Sequence, residues 1–523
     1  MRLELARLFR ATLVASLIAS ALVFFLWTWR WPLLGDASLM HYMSFLMERG
    51  WAPYRQIGDQ QFPGTYLIEL AVMNSLGMGA LAWRFFDFFL LDVASIAFCL
   101  VTRPSGLRRG DPWIPGIFSA CLFILIHGRD GLAQGGQRDL TMAVLLLTAT
   151  AFLFAAERRN APWYSAVFGL LSGLAVTIKP TTLPLTLAQI ALAAFVVQRR
   201  GIPFRKHAIA AAAGYCVAPA ISLVFLLRER SLAAFLEGFH GIVPYYASLG
   251  HRPLSFILLH CISPLLPLVL AWLAVLVVQG QPLRPLREFE RTLLAAGVVF
   301  GLVDCILQQR AFPYYRYPLL AFLLPLIALD LDRALRPQAA AFANSLRAKS
   351  AAILAFAAFC FGGFFLAPQS AILIHRYQWW NTEFITSLQK NLEDLGGPAL
   401  SGHIQCIDSI AGCYNVLYQM RLEQSTGMLA DYLIFGPDTV PIIRQTRADF
   451  SAALLAQPPQ VIVVTSPLHI DGPDNFEKLA RWPAFADFLA TRYTLRTEWS
   501  PTRTALWWSR KETPASYRIY VLR

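Results

Sequence analysis

"PLLGDASLMHYMSFLMERGW", residues 32–51, follows directly on the apolar run "ATLVASLIASALVFFLWTWRW" at 11–31. An acid, Asp36, stands within a few residues of the point where a membrane helix would end. Leu39, Met43, Leu46 and Met47 then recur at helical spacing and return the chain to the membrane surface instead of releasing it to water. A carboxylate at that depth is costly unless it is paired or faces a working cavity. The fold and the function both turn on which side of the membrane it faces.

Working outward, the 523 residues are 56% hydrophobic and 15% charged, a balance that places the chain among polytopic membrane proteins. The net charge of +13 raises the question of nucleic acid. The tail from Arg376 holds 14 basic and 14 acidic residues, against 45 and 32 in the whole chain, so the entire excess lies in residues 1–375. It is spread among short loops and forms no basic stripe, which argues against a nucleic-acid partner.

Apolar windows near the ~20 residues that cross a bilayer fall at about 11–30, 80–101, 113–127, 138–156, 163–178, 181–198, 207–227, 253–279, 291–308, 314–330 and 350–367. The segment "TYLIELAVMNSLG" at 65–77 is too short to cross and reads as a re-entrant or surface helix. With the N-terminus inside, "MRLELARLFR", "TRPSGLRRGD", "ERRN", "QRRGIPFRK", "RPLREFER" and Asp332–Lys349 become cytoplasmic and carry 19 basic residues. That positive-inside bias sets the orientation. The first span reads as a retained anchor, because no small-residue cleavage site lies near Trp31.

The expected architecture is therefore a polytopic α-helical membrane domain of about eleven spans over 1–375, and an exported α/β domain over 376–523. "VIVVTSP" at 461–467 and "RIYVLR" at 518–523 read as strands, and 228–252 reads as a long outer loop. Cys406 and Cys413 are the only cysteines in the tail; they either form a disulfide closing a short loop or stay as two buried thiols. No Cys/His spacing matches a zinc site, and the need for a divalent metal stays open.

On this threading Asp36, Asp59, Arg138, Asp139, Lys179, Arg310 and Arg316 gather at outer helix ends. Helix capping or interface snorkelling accounts for any one of them singly. Their common side favours a site for an anionic, membrane-anchored substrate. "QQRAFPYYRYP" at 308–318 is the most informative stretch: Arg310 and Arg316 suit bidentate phosphate contact, and Tyr314 and Tyr315 suit the level where a head group meets its acyl chain.

"RGWAPYRQIGDQQFPGTYLIELAVMNSLG", "ALAWRFFDFFLLDVASIAFCLV", "QGGQRDLTMAVLLLTATAFLF", "GLLSGLAVTIKPTTLPL" and "YYRYPLLAFLLPLIALD", in that order, resemble the GT-C superfamily of polyprenyl-phosphate-sugar glycosyltransferases, in the branch of bacterial aminoarabinose transferases and protein O-mannosyltransferases. The resemblance covers roughly 11–335. It implies Asp36 as catalytic base, Asp139 as a second acid, Arg310 and Arg316 near the lipid phosphate, and surface helices at 37–49 and 65–77. It also implies an inverting transfer from a polyprenyl-phosphate sugar to a lipid, glycan or protein acceptor, at the outer face of a bacterial inner membrane. One departure is clear: "DQQFPGTY" keeps Asp59 but has Gln60 and Gln61 where aminoarabinose relatives carry Asp-Lys-Pro-Pro, which puts that sugar in doubt. Two other classes remain: a transporter, for which Asp304 and Asp92 are the main mid-span charges, and a non-catalytic scaffold that displays the tail.

Overall fold

The computed structural model describes residues 2–33, 35–103, 113–131, 134–199, 201, 203–262, 265–278, 289–335, 382–468, 476–501 and 515–523. The expected span at 350–367 lies outside them. Helix α1 covers Arg2–Thr28; α2, Asp36–Glu48; α3, Pro63–Leu76; α4, Ala80–Val101; and α5, Ile114–Asp130. Then come α6 (Arg138–Arg159), α7 (Pro162–Ile178), α8 (Leu183–Arg199), α9 (Phe204–Arg228) and α10 (Leu232–Ser248). A broken stretch follows, with α11 (Leu254–Ile257), a π-turn and α12 (Leu266–Val278), before α13 (Phe289–Leu307) and α14 (Tyr317–Leu335). Among the described residues, α6 and α9 alone are both long and apolar enough to cross a membrane on length and composition.

The two short helices expected at the membrane surface are present. Gly35, at φ 58°, turns the chain into α2, and Ser38 Oγ donates to its carbonyl at 2.9 Å. Pro63 at the first helical position starts α3, where its missing N–H costs no hydrogen bond.

Polar contacts sort the helix ends into two groups. In one, Arg158 reaches the Arg103 carbonyl (2.8 Å) and Glu290 (3.4 Å), Ser165 and Asn160 hold His207, and Arg291 pairs with Asp330. The other group contains Asp36, Arg138, Lys179 and Arg310.

The tail carries a four-stranded sheet in the order β1-β2-β4-β3, with β1 at Ile404–Ile407, β2 at Val461–Thr465, β3 at Tyr493–Trp499 and β4 at Tyr517–Leu522. β1 runs parallel to β2, and the other two pairings are antiparallel. Cys406 and Cys413 form a disulfide with their Cα atoms 6.2 Å apart, tying β1 to the start of the Cys413–Met420 helix. The stretch 228–252 is not a loop, because α10 fills most of it. Ile242 and Tyr245 of α10 are buried in a cluster with Tyr432 and Ile443 of the tail, so an apolar helix face is covered by the domain above it.

The tail sits over the Asp36 side. Asn415 Nδ2 donates to the Leu33 carbonyl (3.0 Å), Tyr42 stacks on Tyr414 with centroids 5.6 Å apart, and Trp51 Nε1 donates to Glu423 (2.9 Å). Gly427 lies so close to the Gln56 carbonyl that a Cβ would collide with it.

Within the bundle, α7 and α9 approach through small residues. Gly169 and Gly173, one helical turn apart, face the Ala211 and Tyr215 carbonyls, and Gly214 faces the carbonyl of Ala166. A methyl at any of them meets backbone, which cannot move aside as a side chain can. Gly214→Ala and Gly169→Ala should each destabilise by about 1–3 kcal/mol, overpacking outweighing the better helix propensity of alanine. Thermal unfolding in detergent checks this, with Gly58→Ala, which meets no atom within 4 Å, as the neutral control.

Candidate active site

Asp36 is the first residue of α2, yet it makes no side-chain capping bond; Gly35 occupies the cap position. Its carboxylate is held instead from α6. Arg138 Nη2 lies 3.2 Å from Asp36 Oδ2, and Gln137 Nε2 donates to the same oxygen at 3.4 Å. The pair is about a quarter exposed, so it remains reachable. Asp36 and Arg138 line an open cleft between α2, α3, the start of α4 and the start of α6.

The next residue of α6, Asp139, is buried and accepts from Lys179 Nζ at 2.6 Å. Lys179 also donates to Gln308 Oε1 at 2.6 Å, and Gln308 Nε2 donates to Asp304 at 2.8 Å. The ammonium lies 4.9 Å from the Tyr315 ring centroid. Tyr314 packs edge-on against Tyr315 at 4.8 Å, and both lie within electrostatic reach of Asp36. Arg310 stacks over Tyr246 at 3.9 Å and donates to the Tyr246 and Leu249 carbonyls at the end of α10. Asp36, Arg138, Asp139, Lys179, Arg310, Tyr314 and Tyr315 thus form one neighbourhood.

Arg316 belongs to a different group. Its guanidinium makes a two-point ion pair with Asp130 at the end of α5, and both side chains are 3% exposed. Nearby, Arg84 pairs with Asp87, which accepts from the Gly136 amide (2.7 Å) and contacts His127 (3.2 Å), and His127 meets Tyr317 at 2.6 Å. These charges saturate one another. Gln308 and Tyr246 escaped the sequence reading, although the Asp304/Gln308 spacing of one helical turn was a visible signal. Asp130 sits in the same outer segment as Arg138 and offered none.

Asp59, in the segment before α3, is 6% exposed, accepts from the Tyr66 hydroxyl and takes the Gln61 amide at 3.2 Å. Burial raises its pKa above the ordinary carboxylate value, and the Tyr66 hydrogen bond and the Arg138 charge only partly oppose that. Among the described residues no three His, Cys, Asp or Glu side chains group as metal ligands.

Two outcomes follow. Because folded Asp59 binds its proton more tightly than the unfolded chain does, the folded state loses stability as pH rises from about 4 through the raised value. Asp59→Asn retains both hydrogen bonds without the charge, so its melting temperature should gain on the wild type over that window, read by thermal scans at stepped pH. Arg316→Met should lower stability by about 3–5 kcal/mol by leaving Asp130 buried and unpaired. Asp130→Asn combined with Arg316→Met should recover part of that loss, again by thermal unfolding.

No protein-family model and no curated protein matches this chain. Solved structures do. ArnT from Cupriavidus metallidurans bound to undecaprenyl phosphate superposes with a TM-score of 0.59 at 12% identity, over 97% of each chain. The same protein in its apo state gives 0.58 at 13% identity. The archaeal oligosaccharyltransferase AglB from Archaeoglobus fulgidus, in complex with an inhibitory peptide and a dolichol-phosphate, gives 0.52 at 14% identity, over 97% of this chain and 75% of that one. At such identities the likeness speaks for the fold alone: this chain has the GT-C fold.

Proposed function

We propose that the chain is an integral-membrane glycosyltransferase that moves a sugar from a polyprenyl-phosphate donor to an acceptor on the outer face of a bacterial inner membrane. The reading includes about eleven spans, with the tail on the outer side. The observation that carries it is the placement of Asp36: an accessible carboxylate on a surface helix, unused as a cap, lining a cleft whose other wall is cationic. The fold of the two neighbours, one bound to undecaprenyl phosphate and the other to a dolichol-phosphate, supports a polyprenyl-phosphate partner.

In the proposed step the acceptor hydroxyl oxygen attacks the anomeric carbon from the side opposite the lipid phosphate. A new C–O bond forms, the bond to the phosphate oxygen breaks, and the electron pair leaves with the polyprenyl phosphate. Asp36 takes the hydroxyl proton, and the anomeric configuration inverts. Arg138, beside Asp36, orients that carboxylate. Lys179, steadied by Asp139 and Gln308, and Arg310, steadied by Tyr246, are placed to stabilise the charge growing on the leaving phosphate. Tyr314 and Tyr315 supply the amphipathic wall where phosphate and prenyl chain meet. Arg316 and Asp59 serve from outside this group, Arg316 by fixing the start of α14 and Asp59 by fixing the segment before α3.

Asp36→Asn retains the shape and removes the basicity. Turnover should fall by about 10²–10⁴ with the fold and donor binding retained. A donor-release assay on purified protein with polyprenyl-phosphate sugars checks it, and near-wild-type turnover ends the case for Asp36 as the base.

A further inference from the structure

The cleft beside Asp36 holds a second carboxylate that the proposed step does not use. Glu69, in the middle of α3, lines it and is 2% exposed. Its Oε1 lies against His41 Nδ1, a ring nitrogen that is also in hydrogen-bonding position to the Ala37 carbonyl at 3.1 Å. One turn earlier on the same face, Thr65 is 5% exposed, and its hydroxyl has no partner. On the opposite wall Arg138 gives an Nη to Asp36 and leaves its buried Nε without an acceptor. Trp83, anchored by Nε1 to the Gly135 carbonyl at 3.0 Å, supplies an aromatic side. Leaving a buried polar atom unsatisfied costs about 1–3 kcal/mol, so the Thr65 hydroxyl and Arg138 Nε, beside the Glu69 carboxylate, are a cost that a ligand removes.

We infer that Glu69 and Thr65 form the sugar subsite of this cleft and select a glycosyl unit that offers hydroxyl donors and carries no carboxylate. The inference rests on the proposed function for the identity of the lipid-linked donor. Its chemistry follows from the atoms. The Glu69 carboxylate only accepts, Arg138 Nε only donates and the Thr65 hydroxyl does both, so the ligand must donate and accept from adjacent positions, as vicinal hydroxyls do. Arg138 is already paired with Asp36, and Glu69 brings a second negative charge. A uronate would therefore set like charges together in a poorly solvated site. Glu69 is a specificity residue, apart from the transfer step itself.

The test measures the affinity of the purified full-length protein for undecaprenyl phosphate alone and for its glucose, mannose, galactose, N-acetylglucosamine and glucuronate conjugates. The expected result is that at least one neutral sugar tightens binding over the bare lipid and glucuronate does not. Glu69→Gln should reduce that sugar-dependent gain by about tenfold, and Thr65→Val should reduce it several-fold, both with bare-lipid affinity unchanged. A gain unaffected in both variants, no gain from any neutral sugar in the wild type, a preference for glucuronate, or an equal loss of bare-lipid affinity would overturn the inference. A sugar-dependent gain that is lost in the variants, in a protein that turns over none of these donors with any acceptor, would support the subsite and count against glycosyl transfer.

Discussion

A charged side chain at the edge of hydrocarbon has to find a partner, and that requirement organises this molecule. Arg316 with Asp130, Arg291 with Asp330, Lys179 with Asp139 and Arg138 with Asp36 each join groups from different segments of the chain, and Arg84 with Asp87 pairs within α4. The pairs differ in exposure. Those of Arg316 and Arg291 are sealed, whereas Asp36 and Arg138 remain about a quarter open. Desolvation makes a sealed pair poor at anything except holding structure, while a partly solvated pair at the mouth of a cleft can exchange partners when a substrate arrives. The gradient from sealed to open ion pairs marks where chemistry is feasible.

Much of this was legible in the residues. Asp36 could be placed because an acid directly after an apolar run, followed by apolar residues at helical spacing, has few physical explanations. Surface helices at 37–49 and 65–77, strands at 461–467 and 518–523, and the clustering of Asp36, Arg138, Asp139 and Lys179 followed from periodicity and from the sidedness of basic loops. What stayed hidden depended on distance in sequence. Nothing near Arg316 announces that its partner is Asp130, 186 residues earlier. The helix at 232–248 read as a loop because its apolar face is covered by Tyr432 and Ile443, nearly two hundred residues on. Nothing in the sequence singles out Glu69, and only the cleft beside it gives the carboxylate a meaning. For Cys406 and Cys413 the sequence left two states open; strand β1 and the following helix bring them into bonding position.

The tail is more than an appendage above the bundle. Its disulfide joins the strand and helix that present Tyr414, Asn415 and Tyr418, and these three touch Tyr42, the Leu33 carbonyl and His41 on or just before α2. The helix bearing Asp36 is thus clamped between the bundle below and the tail above. Its orientation, and with it the width of the cleft, depends on both.

The Asn415 contact with the Leu33 carbonyl spans 382 positions of chain. Asp36 is made early, and the side chain that braces its segment much later. The helices can therefore pack together while one wall of the cleft still lacks support, and the site comes into register only when the sheet-bearing part has folded onto it. Docking of that later part, not assembly of the helices alone, sets the geometry at Asp36.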